Sequence, residues 1–155
     1  MKPDGRDDIT LSAYVERRNG VQLGARGSLT AMLNRSLGAD TLAGFWRYWN
    51  PIWGYYLARY VNAPLRRLMP PALAVIATFV VSGAIHDAAI TAVTRSPTFL
   101  FLPWFGMVGL TVVLGSRLRL RYGFTAWSVR AAINVAFVAG ALGFATIGKQ
   151  LLGLS

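Results

Sequence analysis

The chain has no cysteine, a single histidine and only six acidic residues in 155. Without cysteine it forms no disulfide, no thiolate metal site and no cysteine acyl-enzyme, and its redox compartment is left open. A lone histidine also argues against zinc, since a catalytic zinc takes three protein ligands rich in His, Cys or carboxylate. No metal is therefore expected. There is no G-x-S-x-G elbow for a serine hydrolase, and no Gly-rich phosphate loop, low-complexity tract or convincing repeat. The first thirty residues carry Lys2, Asp4, Arg6, Asp7, Asp8, Glu16, Arg17, Arg18 and Arg26. They leave no room for the apolar core of a cleaved signal peptide, so the mature chain is expected to start at Met1.

Apolar sequence is abundant instead. Hydrophobic residues make up 54% of the chain and the mean hydropathy is +0.43, too apolar for an ordinary soluble domain of this size. Residues 70–94 are interrupted only by His86 and Asp87, and 98–115 and 131–148 contain no charge. Each run is long enough to cross a bilayer. The expected fold is all-α, a polytopic membrane protein with about three transmembrane helices and an interfacial amphipathic helix.

The net charge of +10 follows the same topology. Arg47, Arg59, Arg66 and Arg67 precede the first span, and Arg117, Arg119, Arg121 and Arg130 lie between the second and third. Three crossings put both groups on one side, which the positive-inside rule makes cytoplasmic. The expectation is an integral protein of the plasma or inner membrane, with the N-terminus cytoplasmic and the C-terminus outside. Basic loops beside membrane helices need no nucleic acid to explain them, so membrane lipid is the expected partner and nucleic acid is not.

Three regions follow. Residues 1–44 form a polar cytoplasmic lead-in, in which Ser28 can cap a short amphipathic helix carrying Leu29, Met32, Leu33 and Leu37 and ending near Gly38. Residues 45–69 form an aromatic and basic segment that opens FWRYWNPIWGYYLARY. Its Trp46, Trp49, Trp53, Tyr56 and Tyr60 recur at steps of three and four, one stripe of a helix, and Trp, Tyr and Arg suit the headgroup level. Pro51 should kink this helix at Asn50. Asn50 lies off the stripe beside Arg47 and Gly54, where a capping role and a chemical one both fit. Residues 70–155 form the three-span membrane domain, whose Gly83, Gly106, Gly109, Gly140 and Gly143 read as close helix packing.

His86 and Asp87 stand out within the first span. Counted from Pro70 at about 1.5 Å per residue, His86 lies roughly 24 Å along an apolar core about 30 Å thick. Ionisable groups at that depth cost about 2.5–3.5 kcal/mol each, so they usually face a bundle interior or a wet cavity. Ser82 and Gly83, one turn earlier, thin the helix surface and would let a substrate chain or a water approach the ring. Asp87 is about 100° around the helix, so it meets the imidazole only through water or turns to another helix. The H-x4-D arrangement of soluble-domain glycerolipid acyltransferases is absent, because Thr91 stands where the acid would be. A neutral imidazole remains, able to act as a general base toward an alcohol attacking a thioester.

The motif FWRYWNP, the Tyr-rich run with Pro64 and Arg66-Arg67 after it, and then FVVSGAIHD resemble the core signature of the membrane-bound O-acyltransferase family. Members carry an aromatic-basic-Trp-Asn (or His) motif followed some thirty to forty residues later by S-G-x-x-H; here Asn50 and His86 are 36 positions apart. The variant with Asn, and with His-Asp after Ser-Gly, looks closer to the sterol, diacylglycerol and wax-ester branch. The resemblance implies His86 as catalytic base and Asn50 as the group orienting substrate or thioester. Trp46, Arg47, Trp49, Ser82 and Gly83 would surround the substrate, with acyl-CoA as co-substrate and no other cofactor. Family members usually have eight or more spans. Three spans leave a fragment of a larger enzyme, a chain that assembles as an oligomer or with an additional membrane subunit, or a remnant serving as a non-enzymatic subunit.

Overall fold

The computed structural model describes residues 9–151. The first eight residues of the lead-in, with Lys2, Asp4, Arg6, Asp7 and Asp8, and the last four of the tail lie outside that range. The described residues form helices joined by turns and contain no strand. In chain order the helices are α1 (Leu11–Asn19), α2 (Ser28–Leu37), α3 (Leu42–Tyr48), α4 (Pro51–Leu57), a π-helical turn (Ala58–Asn62), α5 (Ala63–Leu68), α6 (Pro71–Thr94), α7 (Phe101–Arg117) and α8 (Trp127–Leu151).

Two helices are long and apolar enough to span a membrane, α6 over 24 residues and α8 over Trp127–Gly148. The span expected at 98–115 is a helix of 17 residues, at the short end of the spanning range. It starts later because Asp87 captures its first turn: Oδ1 accepts the N–H groups of Leu100 and Phe101 at 3.0 and 2.9 Å, and Oδ2 that of Leu102 at 2.8 Å. These are the donors a helix start leaves unpaired. Gly83 allows the approach, since a Cβ there would collide with the Phe101 carbonyl oxygen. Lower on the pair, Gly109 does the same against Ile76 and Phe79. In lipid there is no hydrophobic gain in joining two apolar helices, so this close fit and the carboxylate are what hold α6 against α7. Gly140 and Gly143 have open space beside them and make no such contact.

Residues 42–68 depart most from expectation. In place of one helix with a continuous stripe, they form a helical hairpin packed along α6 and α7. Leu42 and Phe45 of α3 join Val108 and Val112 of α7, with Ala39 and Ala141, in the buried core. Trp46 then reaches Phe79 and Phe105. On the return limb of the hairpin, the Trp53 indole N–H donates to Ser82 Oγ at 2.9 Å and Asn62 donates to Thr78 at 3.0 Å. The tip lies beside Ser82 and His86, about 16–22 Å along α6 from Pro71 at 1.5 Å per residue. Partners on α6 and α7 draw in Trp46 and Trp53, while Trp49 stacks on Phe45 of α3 and stays exposed, as do Tyr56 and Tyr60, which stack on each other. The wide turn before α5 answers Pro64, whose ring would clash with the Tyr60 carbonyl in a regular α-helix.

The lead-in helices pack on the hairpin, α1 against α4 and α2 against α3 and α8, and the end of α2 reaches the arginine-bearing end. Ser28 is the first residue of α2, not its cap: Gly27 holds that position, and Ser28 Oγ accepts from Asn19 instead. Arg130 lies inside α8 and donates to the carbonyls of Gly38 and Thr125. Fully buried Asn134 donates to the carbonyls of Leu37 and Ala39 and accepts from the Tyr122 hydroxyl. Burial and the nearby Asp40 charge push the Tyr122 phenol up to about 12, so it keeps the proton it donates. The hydrogen bond from Arg121 holds the Asp40 carboxyl below its ordinary value, so that exposed tie is present at neutral pH and is lost only in acid. Asn134→Ala, which strands two carbonyls and a hydroxyl, is expected to cost about 2–4 kcal/mol in detergent unfolding titrations. An unchanged midpoint would show the network to be dispensable.

Candidate active site

The hairpin tip is an Asn-Pro turn. Pro51 disfavours helical geometry in the residue before it, and Asn tolerates the left-handed region better than other non-glycine residues. Asn50 accordingly has φ 41° and ψ 70°, and its Oδ1 accepts the Trp53 backbone N–H at 3.2 Å, capping α4. Its own N–H points to Met32 Sδ of α2. The capping role is real, yet it occupies only the oxygen. The two N–H donors on Nδ2 have no partner among the described residues. Irregular backbone at membrane depth is tolerated where it lines a cavity, and this turn does so.

His86 is fixed on every side but one. Nδ1 lies 2.7 Å from the Ser82 backbone carbonyl. A carbonyl only accepts, so Nδ1 carries the proton and the neutral ring keeps its lone pair on Nε2. Phe101 and Phe105 stack on the imidazole at 5.5 and 5.2 Å, and the Trp53 ring stands edge-on at 6.0 Å. Trp53 in turn is held by Ser82 Oγ, so Ser82 orients both rings. Nε2 has no hydrogen-bond partner among the described residues.

Two cavities meet at this ring. The smaller, 120 Å³, is lined by Asn50, Trp53, Thr78, Ser82 and His86 among others. The larger, 580 Å³ and almost wholly apolar, runs between Leu33 and Leu37 of α2, Phe101 and Trp104 of α7, and Val138 and Leu142 of α8. Trp46, Trp49, His86 and Phe105 line both. The Trp46 indole N–H is buried there without a partner.

Of the residues expected at the site, Trp46, Trp49, Asn50, Ser82 and His86 converge. Arg47 does not: it lies on the exposed side of α3 and lines neither cavity. Gly83 does not either, because the α7 backbone fills the gap in which a substrate was expected. Asp87 turns to α7, as its position around the helix allowed. Phe101, Trp104 and Phe105 join the site from α7, and their spacing marks one helical face.

Gly83→Ala should loosen α6 from α7, and Asp87→Ala should do so by a different route, stranding three backbone donors. Asp87→Asn keeps an acceptor oxygen and should be milder. Thermal unfolding in detergent reads this order; Asp87→Ala as stable as wild type would remove the cap from the account.

Neither the curated proteins nor the solved structures yielded a match to the chain. The model of the membrane bound O-acyl transferase family matches residues 29–105, a stretch that includes every residue lining the smaller cavity. By that match the chain belongs to the membrane bound O-acyl transferase family, a family of membrane acyltransferases.

Proposed function

We propose that the protein transfers an acyl group from acyl-CoA to the hydroxyl of a lipid or other alcohol, with His86 as general base. The observation that carries this reading is the Nδ1–H bond to the Ser82 carbonyl, which leaves the Nε2 lone pair at a cavity that Asn50 also lines. Nε2 takes the proton of the acceptor hydroxyl as its oxygen attacks the thioester carbonyl carbon. The C–S bond then breaks, and the imidazolium returns the proton to the departing thiolate, giving an ester and free CoA.

Asn50 Nδ2 orients the thioester by donating to its carbonyl oxygen, where negative charge develops. Trp46 lines the same cavity and buries its indole N–H without a partner. The 580 Å³ groove suits the hydrocarbon chain, having few polar groups to desolvate. Arg59, Arg66 and Arg67 lie on the return limb of the hairpin and draw the CoA phosphates toward it from the cytoplasm, where the N-terminus also lies. Apart from acyl-CoA no cofactor is needed. A lipid acceptor of the sterol, diacylglycerol or long-chain alcohol kind fits a site reached through the membrane. Arg47, exposed at the depth of Trp46, supports an oligomer or a further membrane subunit that covers this side of α3.

Membranes containing the protein, given radiolabelled acyl-CoA, should form labelled lipid ester, and His86→Ala should lower the rate by about 10²–10⁴-fold. Equal incorporation by both removes His86 from the mechanism. Asn50→Asp separates the two roles of Asn50, because it keeps the capping oxygen and loses the N–H donors. It should fold normally and turn over about 10²–10³-fold more slowly; full turnover would leave Asn50 a cap alone.

A further inference from the structure

A third cavity, 340 Å³, lies at the arginine-bearing end and shares no residue with the two around His86. Leu42 and Val112, which line it, belong to the core cluster with Phe45 and Val108 that stands between it and the histidine. Its walls are mostly apolar, with Leu42, Ala43, Val112, Leu120 and Phe137, and carry a few hydroxyl side chains among them. Arg119 and Arg121, both exposed, stand at its rim. Arg121 is partly neutralised by Asp40 at 2.7 Å, whereas the Arg119 side chain has no partner among the described residues.

The backbone at Arg119 adds a second observation. α7 closes with a Schellman arrangement, in which Leu120 N–H bonds the Gly115 carbonyl at 2.9 Å and Arg119 N–H bonds the Ser116 carbonyl at 3.3 Å. The residue between must be left-handed, a place usually taken by glycine, and Arg119 sits there with φ 53°. The strain persists against an easier choice, which points to work for the side chain. A cation at a helix C-terminus is favoured by the dipole, but that need would be met equally by Arg117, the last residue of α7 and two positions back. Arg95 ends α6 in the same conformation yet lines none of the three cavities.

We propose that this cavity binds an anionic phospholipid of the leaflet at the arginine-bearing end, one acyl chain lying between Val112 and Phe137 and the phosphate on Arg119. Apolar walls exclude a bare anion, and an unpaired guanidinium at the rim selects against a neutral headgroup. The site is independent of the acyl-transfer reading, since no lining residue belongs to that machinery.

The test uses the full chain in detergent micelles doped with phosphatidylglycerol or phosphatidylcholine, with retained lipid counted by native mass spectrometry. Wild type should retain phosphatidylglycerol about fivefold over phosphatidylcholine, the preference that one arginine provides. Arg119→Gly should abolish that preference while melting at the same temperature or higher, because glycine relieves the left-handed strain. Ala43→Phe, which fills the cavity, should lower retention of both lipids. Unchanged preference in Arg119→Gly would overturn the proposal. So would displacement of phosphatidylglycerol by inorganic phosphate, which marks a simple anion site, or by equimolar long-chain acyl-CoA, which assigns the cavity to the other substrate.

Discussion

A helix that begins beside another helix within the membrane has backbone N–H groups that water cannot reach, and in this chain one carboxylate takes three of them. Asp87 gathers Leu100, Phe101 and Leu102, and Gly83 lets the α7 backbone come close enough for the bonds to form. In lipid, where apolar helices gain nothing by leaving the solvent, such directed contacts decide which faces meet. The consequence reaches the site directly, because the residues pinned by Asp87 are the ones that bring Phe101 and Phe105 onto the His86 ring. An acid next to His86 works on the scaffold and leaves the imidazole alone.

The second constraint is the depth of the hairpin. A polar Asn-Pro turn halfway through a membrane is costly unless each backbone group is used and the remainder faces a cavity. Asn50 meets that condition with its own side chain, capping α4, and Trp53 meets it by donating to Ser82. Ser82 supplies its carbonyl to His86 and its hydroxyl to Trp53, so one small residue couples the tip of the hairpin to the orientation of the imidazole. Positioning here depends on a chain of three hydrogen bonds within a few residues.

Left-handed backbone marks two of the cavities. Asn50 and Arg119 both adopt left-handed backbone, one at the niche beside His86 and the other at the rim of the remote cavity. The core packing of Leu42, Phe45, Val108 and Val112 keeps the two apart. An amphiphile at one end of α7 and the chemistry at the other can thus occupy one short helix without sharing side chains.

How much of this was written in the residue order depends on the range over which each signal acts. Apolar runs settle that the chain is helical and membrane-bound, and the lone histidine, the Asn-Pro dipeptide and their 36-position spacing settle which residues to watch, because these are local properties of composition and backbone chemistry. The aromatic stripe of residues 46–60 read as an anchor because Trp and Tyr favour the interface when nothing else competes. Only the folded chain supplies the competitor, a serine hydroxyl and a set of phenylalanines on other helices. The same holds for Gly83, which looks like an opening until α7 fills it, and for Arg47, which turns away from the histidine. Side-chain direction between non-adjacent helices is a tertiary quantity, set by close packing and by the demand that every backbone donor at depth find an acceptor.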